Sequence, residues 1–107
     1  MKVLQTIGHR NGYPPTPFYY RRDQDGVRIE SIVGQRIQRQ FSHEEWAGLL
    51  TAISAATNVL QVSSVAPDGD NENRLHYIIS ENLPRSRNTR ILAYVSAILL
   101  HEGTVII

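Results

Sequence analysis

The chain has 107 residues, 41% of them apolar and 20% charged, with no cysteine and a formal net charge of +1. That length suits one domain built on one core, and the composition is that of a folded globular protein rather than a disordered chain. The lack of cysteine excludes disulfides, thiolate metal sites and thiol catalysis, and no apolar run approaches the roughly 18 residues needed to span a bilayer.

Met1-Lys2-Val3-Leu4-Gln5 lacks the long apolar stretch of a signal peptide, so a cytoplasmic protein with no membrane role is expected. The small net charge hides an uneven distribution. Residues 1–41 hold seven basic and three acidic side chains, residues 42–72 hold five acidic and no basic ones, and residues 73–107 return to a net of +2. Ten of the eleven basic residues are arginine, whose planar fork suits carboxylates, phosphates and aromatic faces, although a GC-rich coding sequence gives the same bias.

Residues 2–7 read as a short strand with Val3 and Ile7 on one face and Leu4 on the other. The next ten residues contain two glycines and three prolines, which exclude helix and leave an extended loop. Residues 18–22 and 27–33 are rich in aromatic and β-branched residues, and Asp23-Gln24-Asp25-Gly26 between them supplies a hairpin turn with Gly26 at positive φ. In the second of these strands Val27, Ile29 and Val33 share one face and Arg28 and Glu30 the other, the alternation of a half-buried antiparallel sheet. Gly34-Gln35 marks a turn or bulge. Residues 36–41 then form a further strand, Ile37 and Phe41 inward and Arg36, Gln38 and Gln40 outward.

Ser42-His43-Glu44-Glu45 is a capping box, and Trp46, Leu49, Leu50 and Ile53 follow at helical spacing, so a helix begins there and buries Trp46 near its start. Residues 59–65 fit either a continuation of that helix or another strand, and their β-branched content favours the strand. Pro67-Asp68-Gly69-Asp70 reads as a turn. A second helix is expected over 72–82 from Leu75, Ile78, Ile79 and Leu83, stopped by Pro84; a third, capped by Ser86 or Asn88, carries Ile91, Leu92, Val95, Ile98 and Leu99 and closes at Gly103. The apolar end, residues 104–107, has high β propensity and is expected to pair with the first strand or with a second subunit.

The expected fold is therefore α+β: an antiparallel sheet of three or four strands packed against three helices, as a single domain over residues 1–107. Two candidate sites emerge. Arg85, Arg87 and Arg90 flank the start of the third helix, whose unpaired amides attract anions, against the plainer reading of a solvated, locally capped helix entrance. Arg10, Tyr19, Arg21, Arg22, Arg28 and Arg36, with Tyr13 and Tyr20 among them, interleave cations with rings as single-stranded nucleic acid requires, without an RNP-type octapeptide and with Asp23, Asp25 and Glu30 available to pair with them. The third helix is too apolar to enter a DNA groove.

His9, His43, His76 and His101 are scattered outside metal-ligand spacing, Ser31, Ser54 and Ser80 lack a nucleophile elbow, and Asp68, Asp70 and Glu72 are too irregular for a calcium loop. No metal or cofactor is expected, and no catalytic residue stands out. The expected function is non-enzymatic binding or regulation through protein–protein association, as a homo-oligomer or with a protein partner. Single-stranded nucleic-acid binding is the alternative, and a small enzyme or ligand-binding domain with a pocket between sheet and helices is the third.

Overall fold

The computed structural model describes residues 2–6, 15–32, 38–55, 70–86 and 89–104, with 70–74 and 89 described by backbone alone. Four strands, β1 (Lys2–Gln5), β2 (Pro17–Asp23), β3 (Gly26–Ser31) and β4 (Gln38–Phe41), precede three helices, α1 (His43–Ser54), α2 (Asp70–Asn82) and α3 (Thr89–His101). The strands follow their chain order β1-β2-β3-β4 across the sheet, and each neighbouring pair is antiparallel. The fold is thus α+β, as the alternation of residues 18–41 and the helical stripes beyond them require.

The β2–β3 hairpin turns at Gln24-Asp25, where the Asp25 N–H donates to Asp23 Oδ1 at 2.9 Å. Gly26 follows at φ +124°, and a Cβ there would stand 2.0 Å from the Phe41 carbonyl oxygen, so the turn needs glycine both for its dihedral and for the close passage of β4. The register then decides the faces. Tyr20 lies opposite Ile29, Phe18 opposite Leu4, and Val27 opposite Phe41, so these side chains share the face that meets the helices. On β1 it is Leu4 that packs against the core, while Val3 is 52% exposed.

α1 starts with the expected capping box. Ser42 Oγ accepts from the Glu45 N–H at 3.0 Å, and Glu45 Oε1 accepts from the Ser42 N–H at 2.8 Å. Its stripe buries Trp46, Leu49 and Ile53 against the sheet, with Leu50 partly covered. α3 is the most deeply packed helix: Ile91, Tyr94, Val95, Ala97, Ile98 and Leu99 are buried, and Tyr94 stacks on Phe18 with ring centroids 4.5 Å apart. Its end is a Schellman motif, with the Gly103 N–H donating to the Leu100 carbonyl, the Thr104 N–H to the Leu99 carbonyl, and Gly103 at φ +78°.

Two sequence expectations are corrected. α2 begins at Asp70, inside what reads as a turn, so Asp70 and Glu72 belong to its first turn and not to an acidic loop. Ser86 does not cap α3, which starts three residues later at Thr89. Its buried hydroxyl instead donates to the Leu83 carbonyl at 2.7 Å, just past the end of α2, and shares that proton with the Ile79 carbonyl at 3.2 Å, which already accepts the Leu83 N–H. The proposed element over 59–65, and the pairing of the last three residues of the chain, lie outside the described residues.

Candidate functional site

The helices share one core with one face of the sheet, and among the described residues no helix packs on the other. Alternation and register place Val3, Tyr19, Glu30 and Gln38 in one row across the four strands, and Arg21, Arg28 and Gln40 in the next. Val3 and Tyr19 are 52% and 38% exposed. Ile32, 40% exposed, stands at the bend directly after β3. Of the four large exposed hydrophobics among the described residues, Val3 and Tyr19 thus lie side by side on this face, Ile32 stands at the end of β3, and Tyr77 is on α2.

The arginines of this face are not free cations. Arg21 Nε lies 3.1 Å from Asp23 Oδ2 and Arg28 Nη2 lies 3.0 Å from Glu30 Oε1, while Gln38 Nε2 donates to the same Glu30 oxygen at 2.7 Å. Arg21 and Arg28 stand directly opposite each other in the register, a like-charge contact that the two acids relieve. Arg22 is separated from them by strand alternation and points to the helix side.

There it meets Glu102, the residue after the last turn of α3. Arg22 Nη1 donates to Glu102 Oε1 at 2.7 Å, and the Tyr20 hydroxyl donates to Glu102 Oε2. Burial, and then the bond to Glu102, push the Tyr20 phenol well above its ordinary range. The same carboxylate bond raises the Arg22 guanidinium against the opposing effect of burial. Lys2 Nζ, which has only protons to offer, donates to His101 Nε2 at 3.2 Å, and the His101 ring stands edge-on to Tyr20 at 6.0 Å. Lys2, Tyr20, Arg21 and Arg22 rim an open depression of about 410 Å³. Of its cations, Lys2 and Arg22 meet His101 and Glu102 at the negative end of α3, which accounts for them as a clamp between sheet and helix, while Arg21 turns to the other face.

Of the other candidate anion ligands, Arg85 is committed elsewhere. Its Nη2 donates to the Gln40 carbonyl at 2.8 Å and its guanidinium lies 5.9 Å from the centroid of the Phe41 ring, reached from a backbone at φ +60°. Arg90 is exposed in the first turn of α3. Arg10, Tyr13, Arg36 and Arg87 lie outside the described residues. The structure thus brings Tyr19, Arg21 and Arg28 together and places Tyr20 and Arg22 on the opposite face.

Sequence reasoning missed Val3 and Ile32 as surface residues and Glu102 as the partner of Arg22. The alternation of Val3 with Leu4 was the only local signal, since Glu102 and Arg22 are 80 positions apart. Among the described residues no three His, Asp or Glu side chains gather as a metal ion needs. No helix among them is long and apolar enough to cross a membrane. No family model, curated protein or solved structure matches this chain.

Proposed function

We propose that the chain is a non-enzymatic protein-binding module that works through the open face of its sheet. The observation that carries this reading is that exposed Val3 and Tyr19 stand side by side on one face of a sheet whose opposite face is the core, with exposed Ile32 at the end of β3. Exposed apolar groups grouped in this way, with tyrosine and arginine among them, have the make-up of a protein interface centre, and the ion-paired Arg21, Asp23, Arg28 and Glu30 supply its polar rim. The partner is a protein, this chain included, and the cytoplasm expected for a cysteine-free chain belongs to the same reading.

A second reading, single-stranded nucleic acid, is favoured by one arrangement: exposed Tyr19 shares its face with Arg21 and Arg28, a stacking ring beside two cations. The pairing of both arginines with acids weighs against it, because neutralised side chains displace few counterions from a phosphate backbone.

A photo-crosslinking residue at position 19, with position 77 as the exposed control, separates the two in cells expressing the protein. Protein adducts from position 19 but not from position 77 are expected. Titration with oligo(dT) at two salt concentrations should give no steep salt dependence; nucleic-acid adducts together with steep salt dependence would replace the first reading by the second.

A further inference from the structure

The charges on the open face point to what covers it. Arg21 and Asp23 alternate along β2, and Arg28 and Glu30 alternate along β3, so the described residues of the face hold two cations and two anions at fixed spacing, with no net charge among them. A uniformly acidic or basic partner gains nothing from such a pattern, since each attraction is matched by a repulsion. A copy of the same face turned by a two-fold rotation about an axis crossing β3 between Arg28 and Glu30 does gain, because Arg28 of each copy then meets Glu30 of the other and the contact is reciprocal. The apolar groups suit the same partner: Val3 lies directly opposite Tyr19, a flat patch that can lie against its own image.

We infer that the partner is a second copy of this chain, stacked sheet on sheet about a two-fold axis, with Val3 and Tyr19 beside the axis and Arg28 and Glu30 of each copy facing Glu30 and Arg28 of the other. This rests on the reading of the open sheet face as a docking surface. The existing Arg21–Asp23 and Arg28–Glu30 pairs are partly exposed, hence weak, and exchange readily for intermolecular ones.

Size sets the strength. β2 is seven residues long in a sheet of four strands. At about 3.3 Å per residue and about 4.8 Å between strands, the footprint is on the order of 400 Å², half of the roughly 800 Å² per partner of a standard interface. The dimer is therefore a weak one, with a dissociation constant on the order of micromolar or above, and it forms and dissociates with concentration.

Sedimentation velocity on the full chain, from about 10 µM to about 1 mM, tests this. The sedimentation coefficient should rise with concentration for the wild type. Arg28→Glu leaves the face with adjacent acids and Glu30→Arg leaves it with adjacent cations, so each alone should stay monomeric. An equimolar mixture of the two should associate at least about tenfold more tightly than either variant alone, because the acidic face now meets a basic one. Tyr19→Glu, which leaves both charged residues in place, should also abolish association, with circular dichroism reporting that the fold is kept.

A wild type that remains monomeric at the highest concentration overturns the proposal. Association that Tyr19→Glu and the charge variants leave unchanged overturns it too, by placing the interface elsewhere, and single variants that weaken association without rescue in the mixture overturn the two-fold arrangement. Crosslinks from position 19 to other proteins, combined with a monomeric wild type, would defeat the second copy as partner while leaving the sheet face as a docking surface; absence of both would defeat the two together.

Discussion

Trp46 and Tyr94 are both sealed in the core, yet replacing them has opposite consequences. Trp46 is 1% exposed and heads the stripe of α1, so Trp46→Ala removes a large apolar group and leaves a cavity beside Leu49 and the sheet. A loss of about 3–5 kcal/mol in urea unfolding is expected, and one below about 1 kcal/mol would place the indole outside the core. Tyr94 is fully buried on Phe18, but its hydroxyl finds no hydrogen-bond partner among the described residues. A buried hydroxyl left unpaired costs about 1–3 kcal/mol, so Tyr94→Phe, which keeps the ring stack, should leave stability unchanged or raise it by up to about 1 kcal/mol. A clear loss in the same unfolding measurement would mean that the hydroxyl has a partner after all.

At the scale of elements, two glycines at positive φ make a controlled comparison. Gly26 at φ +124° would carry its Cβ into the Phe41 carbonyl, whereas Gly103 at φ +78° has nothing within 4 Å of where a Cβ would go. Gly103→Ala should therefore cost only the left-handed backbone, about 1–2 kcal/mol. Gly26→Ala adds a backbone collision that forces β4 away from the hairpin, and should cost about 3 kcal/mol or more. Equal losses in thermal melts would refute the collision. The same contrast explains what was legible beforehand. The capping box at Ser42 and Glu45, the hairpin turn at Gly26 and the close of α3 at Gly103 are governed by neighbours within a few residues, so spacing alone reveals them. The start of α2 competes with a turn-like Pro67-Asp68-Gly69-Asp70, and tertiary packing of Leu75 and Ile79 decides it. Ser86 illustrates the other failure: the residue type signals a hydrogen bond to a helix end, but both α2 and α3 offer one, and only the fold chooses α2. Arg22 and Arg21 are adjacent in sequence and alike in chemistry. Strand alternation separates them, and only the third dimension gives Arg22 its partner in Glu102.

Over the whole molecule, the two tyrosines that tie β2 and α3 into the core make stability fall at alkaline pH. Burial, then the bond and the charge of Glu102, raise the Tyr20 phenol against the opposing charge of Arg22, and burial raises Tyr94 against that of Arg90. Both groups lose their protons near pH 10 in the unfolded chain but retain them to higher pH when folded. Below pH 10 both states are protonated and the full contribution to stability is present. As the pH climbs past 10, the unfolded state sheds protons that the folded state keeps, so unfolding becomes progressively easier. Each phenol held in this way adds a slope of at most about 1.4 kcal/mol per pH unit until its folded form also titrates. Urea midpoints measured from pH 8 to pH 11.5 should be level at first and then decline. The Tyr20→Phe/Tyr94→Phe double variant, which has no phenol at either position, should decline less steeply over the alkaline range even if its stability at pH 8 differs. The comparison of slopes isolates titration from packing, because loss of the Tyr20–Glu102 bond displaces the whole curve without tilting it. Parallel curves for the two proteins would mean that neither buried phenol is held in its protonated form by the fold.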